Sequence, residues 1–206
     1  MIYFDNAATT CVFPEVVEAM QDAMQVTYGN PSAKHMKGIE AENKVKAAQE
    51  LIAKTLRAKP KEILFTSGGT ESNNTAIIGT AMANRRKGKH IITTKVEHAS
   101  VYEPMYHLEE EGYEVTYLDV DEYGKVDPIE FEAAIKDTTI LASIMFANNE
   151  IGTVEPIKEL GAIAHSKGVI FHTDAVQAFA HIPVNVKDMN CDMLSVSAHK
   201  FHGPKG

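Results

Sequence analysis

Short apolar, β-branched runs alternate with stretches of helical periodicity along most of this chain, and that alternation restricts the fold more than any other feature. The runs predict strands at Glu62–Thr66, His90–Lys95, Glu114–Asp119, Ile140–Phe146, Val169–Thr173 and Met193–Ser197. The periodic stretches predict helices at Pro14–Gln25, Glu40–Leu56, Thr70–Arg86, Val101–Glu111, Pro128–Ile135 and Ile157–Ser166. In Glu40–Leu56, the residues Ala41, Val45, Ala48 and Ile52 form one apolar face. Strand–helix alternation of this kind implies an α/β fold, a mostly parallel sheet with helices on both faces. A length of 206 residues fits one such domain or part of a larger protein, and 44% hydrophobic residues suffice for a core. Ligands of such sheets bind beyond the carboxyl ends of the strands.

Composition removes several function classes. A net charge of −8 argues against general nucleic-acid binding. No apolar run approaches the roughly 18 residues a membrane span needs. Met1–Asn6 has neither the basic start nor the apolar stretch of a signal peptide. Cys11 and Cys191 make no disulfide framework. The expectation is a soluble cytoplasmic protein without nucleic-acid or membrane partners. No His/Cys set has zinc spacing, although His199 and His202 are close, so no metal is expected. Asp119–Glu130 imitates a calcium loop, but Tyr123 takes a ligand position and a strand precedes it, which favours an acidic turn. Arg85, Arg86, Lys87 and Lys89 sit at a helix end, where cations suit the dipole.

The predicted strand ends carry the chemistry. Ser67-Gly68-Gly69-Thr70 precedes a helix; the glycines allow close backbone approach, and the helix start offers free N–H groups that suit a phosphate. Thr70 adds a hydroxyl. Alone, the segment reads more readily as an ordinary capped turn. His98 follows the next strand and suits ring stacking or proton transfer, or simply a hydrogen-bonded loop. Asn149, in Asn148-Asn149-Glu150-Ile151-Gly152, suits a hydrogen bond to a ring oxygen or substrate, or turn formation. Asp174 ends another strand. A carboxylate there is suited to keeping a pyridine nitrogen protonated, or to capping a helix. Gln177, three residues on, falls on the same side of a helix starting there, within reach of a phenolic oxygen. Ser197 and His199 share a parity on the last strand and suit a phosphate. Lys200 follows in a glycine-bounded loop, where an amine is placed to form a Schiff base with an aldehyde cofactor. Each signal alone is weak; their ordered coincidence is specific.

Taken together, these motifs resemble a cysteine desulfurase of the NifS/IscS type, in the class V aminotransferase group of fold-type I pyridoxal phosphate enzymes. The likeness spans essentially the whole chain. It includes Tyr3–Thr10, Gly29–His35, Ser67–Asn74, Asn148–Gly152 and Ser197–Gly206. It implies a large cofactor-binding domain, incomplete at the C-terminus, with an N-terminal arm over residues 1–14, the partial domain over 15–206, and the small C-terminal domain missing. By resemblance, Lys200 carries the cofactor and Asp174 faces the pyridine nitrogen. Gln177 holds the phenolic oxygen, and His98 stacks on the ring. Gly69, Thr70, Ser197 and His199 bind phosphate, and Asn149 lies near cofactor and substrate amine.

The implied reaction converts L-cysteine to L-alanine. Lys200 takes the α-proton, His98 exchanges a proton near the thiol, and a separate enzyme cysteine takes the sulfur as a persulfide. That cysteine, the arginine that holds the substrate carboxylate and a phosphate ligand lent by a partner subunit are all expected beyond Gly206. Neither Cys11 nor Cys191 stands at the family's position, so the chain alone is expected to be inactive. A homodimer, sulfur-acceptor proteins and a role in iron–sulfur cluster or thiolation pathways are also implied. Two other readings stay open: a related aminotransferase or selenocysteine lyase, and a non-catalytic assembly subunit.

Overall fold

The structure, a computed structural model, describes residues 2–205. The chain divides into two units, one made of residues up to Phe65 with Ala198–Lys205, the other of Thr66–Ser197.

In the first unit, α1 spans Pro14–Gln25 and α2 spans Met36–Leu56. Proline suits the first position of α1, because its missing N–H has no acceptor there in any case. The helix α2 starts four residues before the expected Glu40. The His35 ring accepts the Gly38 N–H at 3.3 Å, and this cap lets the first turn form. Arg57 closes α2 in a left-handed conformation, φ 56°. The expected strand Glu62–Thr66 is absent: Pro60–Glu62 form a 3-10 turn, and Leu64 and Phe65 are 71% and 52% exposed. A strand needs a ladder partner, and none of the described residues pairs with this run.

The N-terminal arm is laced to a second 3-10 turn, Ala198–Lys200. Thr10 donates both its N–H and its hydroxyl to the His199 carbonyl at 2.9 Å, and its hydroxyl accepts the His202 N–H at 2.7 Å. The rings of Phe13 and His202 stack at 4.0 Å.

The second unit holds α3 (Gly69–Asn84), α4 (Ala99–Glu110), α5 (Pro128–Ala134) and α6 (Ile157–Ser166). Its strands are β1 (His90–Thr94), β2 (Glu114–Leu118), β3 (Thr139–Ser143), β4 (Ile170–Asp174) and β5 (Met193–Ser195). They form one sheet in the order β2-β1-β3-β4-β5, with every pair parallel. Both faces are covered, which is why β1 and β3 are buried at every residue. Successive residues point to opposite faces: Ile91 packs with Ile77, Val101, Met105 and Leu108 of α3 and α4, and Ile92 with Phe131 and Leu160 of α5 and α6. The α/β reading of the sequence therefore stands, as does the covering of both sheet faces by helices.

A buried polar seam crosses the strands. His172 lies between the Ser143 hydroxyl at 2.8 Å and the Ser195 hydroxyl at 3.0 Å. Burial pushes this imidazole down to about 4, so it stays neutral near pH 7.

Candidate functional site

In a parallel sheet all carboxyl ends share one edge, and the start of α3 comes to that edge. A Cβ on Gly69 would sit 3.0 Å from the Val176 Cγ2 and 3.5 Å from the Ser197 Cβ. Glycine is what allows this approach. Gly68 before it has φ 156° and ψ −177°, a region used almost only by glycine. The first N–H groups of a helix have no intrahelical acceptor and form a positive end. Thr70 is exposed there, and the Ser197 side chain lies beside Gly69. The free N–H groups and these hydroxyls are of the kind that can donate to an anion.

Asp174 ends β4 at the same edge and is buried. Its Oδ1 accepts the Val176 N–H at 2.9 Å, and its Oδ2 accepts from Asn73 Nδ2 at 2.7 Å. Asn73 also donates to the Ser100 Oγ at 2.9 Å, and Ser100 in turn meets His98 Nδ1 at 2.9 Å. The Ser100 N–H donates to the same nitrogen at 3.1 Å. His98 thus caps α4 with Nδ1 as acceptor, and its proton is on Nε2. One chain of hydrogen bonds joins the ends of β4 and β1 through α3.

Glu97, next to His98, is a buried carboxyl. Its Oε1 accepts from Thr94 Oγ1 and the Met145 N–H, both at 2.9 Å. Burial outweighs these donors and pushes the group up to about 8. Between its ordinary 4.5 and about 8, the folded chain keeps a proton that the unfolded chain releases, so stability falls as pH rises through this window. His172, held down at about 4, acts in the opposite sense below its ordinary 6.5. From pH 6.5 to 8, urea unfolding is therefore expected to lose about 2 kcal/mol more in the parent than in Glu97→Gln. Parallel losses in the two proteins would contradict this.

Two expectations need correction. No helix starts after Asp174; residues 176–180 are consecutive turns, and Asp174 accepts the Val176 N–H across the first of them. Gln177 is half-buried in those turns. Ser197 and His199 do not share a strand either. The strand β5 stops at Ser195, and Ala198–Lys200 winds into the 3-10 turn, so strand parity does not apply.

His199 belongs to the other unit, where its Nδ1 meets Thr9 Oγ1 at 3.2 Å. Burial, with Lys200 and Lys205 nearby, lowers its pKa. Lys200, in the same unit, donates from Nζ to the carbonyls of Ala7 and Ala8. The Asn149 side chain donates to Glu150 in the loop after β3. Sequence reading assigned no role to Asn73 or Ser100. The i, i+3, i+4 spacing of Thr70, Asn73 and Asn74 on one helix face was the available signal.

A phosphorylated pyridine aldehyde fits the donor set of the second unit. The start of α3 suits a phosphate dianion. The buried Asp174 carboxylate at the end of β4 suits a protonated ring nitrogen. Cys191 is unsuited to nucleophilic work. Its thiol donates to the Met193 carbonyl at 2.7 Å, and burial pushes it up to about 12. Among the described residues, no group of three or more His, Cys, Asp or Glu side chains is placed to hold a metal ion. No described helix is long and apolar enough to cross a membrane.

Residues 2–206 match the family model described as aminotransferase class-V. The chain is 56% identical over 205 residues to a cysteine desulfurase IscS of Dictyoglomus turgidum, covering 100% of this chain and 52% of that protein. It is 55% identical to a cysteine desulfurase IscS of Methanosarcina thermophila, covering 51% of it. A solved structure described as a NifS-like protein superposes over 100% of this chain and 57% of its own, with a TM-score of 0.97 and 42% identity. Another, SspA in complex with cysteine, has a TM-score of 0.97 and 44% identity, with 100% and 59% covered. The chain spans about half the length of the curated relatives it matches.

Proposed function

We propose, from the premise that this chain belongs to the aminotransferase class-V family, that it forms the cofactor-binding part of a pyridoxal-phosphate-dependent cysteine desulfurase. The reaction is conversion of L-cysteine to L-alanine, with the sulfur passed to a cysteine thiolate and on to acceptor proteins for iron–sulfur clusters or thiolated products. The observation that carries this reading is the buried Asp174 carboxylate, which accepts from Asn73 and from the Val176 N–H at the sheet edge where α3 starts.

Pyridoxal phosphate, when bound, supplies an electron sink for the carbon that loses its proton. In this reading the start of α3, with Gly69, Thr70 and Ser197, takes the phosphate, and His199 joins them by family resemblance. Asp174 would hold the proton on the ring nitrogen. Gln177 would donate to the phenolic oxygen, Asn149 would attend the substrate amine, and the His98 imidazole would stack on the ring. The Lys200 amine would hold the cofactor and would take the α-proton of the substrate. The His98 Nε2–H supplies a proton near the substrate sulfur. The acceptor thiolate is neither Cys191, which is half-buried and protonated, nor Cys11, which is away from the family's position.

A homodimer, a cytoplasmic location and an arm over residues 1–14 belong to the same reading. The dimer has support in α1, where Val17, Met20 and Met24 form an exposed apolar stripe and no residue is buried.

Gel filtration after mixing with pyridoxal phosphate tests the phosphate site. The chain is expected to carry the cofactor through the column and to give it up to excess inorganic phosphate. Elution without cofactor, or retention indifferent to phosphate, would count against it.

A further inference from the structure

We propose that Asn73 is a positioning residue that couples Asp174 to His98; its functional meaning rests on the cofactor reading above. Asn73 lies one turn inside α3 and is fully buried. Its amide nitrogen has two hydrogens, and both are used, one on Asp174 Oδ2 at 2.7 Å and one on Ser100 Oγ at 2.9 Å. The orientation is chemically fixed, because exchanging the amide oxygen and nitrogen would set an oxygen against a carboxylate oxygen. Holding both donors in place leaves Asn73 Oδ1 buried without a partner. Packing alone does not account for such a residue. Leucine would fill a similar volume without burying an unpaired carbonyl.

The second donor has a directed consequence. Ser100 Oγ accepts from Asn73, so its own hydrogen is available to His98 Nδ1 at 2.9 Å. The Ser100 N–H points to the same nitrogen. Asn73 therefore fixes a carboxylate at the end of β4 and, through one hydroxyl, an imidazole at the end of β1. In the cofactor reading these are the group that faces the ring nitrogen and the group that lies against the ring face. A single buried amide sets both orientations before any ligand arrives.

The test uses Asn73→Leu, with Asn73→Asp as a second variant of native shape that has at most one hydrogen to donate. Two signals are read. In the cofactor-free chain, the His98 Nδ1 nitrogen resonance is expected to move in the variants as the Ser100 hydroxyl loses its direction. With ring-labelled pyridoxal phosphate bound, the ring-nitrogen resonance is expected to move from the pyridinium towards the pyridine position. Cofactor retention is expected to weaken about ten- to hundredfold. A purely structural Asn73 would lower the melting temperature and move neither resonance. Unmoved His98 and ring-nitrogen signals in a folded variant would overturn the proposal. If the parent takes up no cofactor while the His98 signal still moves in Asn73→Leu, the cofactor reading fails and the coupling is upheld.

Discussion

Lys200→Ala is expected to abolish borohydride-stable incorporation of pyridoxal phosphate into this chain while leaving its fold intact. Lys200 is half-buried, and its Nζ donates to two backbone carbonyls of the N-terminal arm. Water replaces such a donor where carbonyls are accessible, so the stability change is expected to stay near that of one hydrogen bond, about 0.5–1.5 kcal/mol. Covalent capture has no comparable substitute, because it needs a primary amine at this position and alanine has none. Lys200→Arg separates charge from chemistry. It keeps a cation and several donors, but a guanidinium stays protonated and does not take the place of a nucleophilic amine. Both variants are expected to unfold close to the parent and to show no cofactor-modified peptide by mass spectrometry. Capture by Lys200→Ala at the parental level would reject the assignment.

Replacement of Asp174 is expected to cause the second large loss, and the choice of replacement separates stability from chemistry. Asp174→Ala leaves the Asn73 amide and the Val176 N–H without their acceptor in a buried place, at about 1–3 kcal/mol for each. Asp174→Asn keeps the volume and one acceptor oxygen. It removes the charge that favours a protonated ring nitrogen, so the electron sink weakens. Exchange of an amino acid's α-hydrogen into deuterated water, followed by proton NMR in the catalytically complete protein, is expected to slow about 10²–10³-fold in Asp174→Asn. Exchange at the parental rate by a folded Asp174→Asn would mean that this carboxylate does not serve the ring nitrogen.

How much of this was legible beforehand follows from what each residue depends on. The five strands of the sheet were readable because strands buried on both faces become short β-branched runs, as in His90–Thr94 and Ile170–Asp174. The run Glu62–Thr66 is also short and apolar, yet it forms no strand. A strand is a property of a pair, and composition does not reveal whether a partner exists. The starts of α2 and α3 were placed late for a different reason. Caps such as His35, and backbone conformations such as that of Gly68, lie outside the apolar periodicity that marks a helix.

The candidate site divides in the same way. Asp174, His98 and Gly69 were readable because they stand at strand ends or at a helix start, positions that chain order alone defines. Asn73 was not, because its partners lie 27 and 101 residues away and an asparagine inside a helix looks locally neutral. His172 reads as a residue of a strand, and only the assembled sheet places Ser143 and Ser195 on its two nitrogens. His199 was misplaced because parity was carried four residues past the end of β5.

The most direct test of the central claim, that this chain binds pyridoxal phosphate covalently through Lys200, is its visible absorption spectrum after loading with the cofactor and removal of the excess. The account expects a retained band that borohydride bleaches, with the reduced cofactor found on the peptide that contains Lys200. Absence of a retained band, or capture on another lysine such as Lys205, would contradict it.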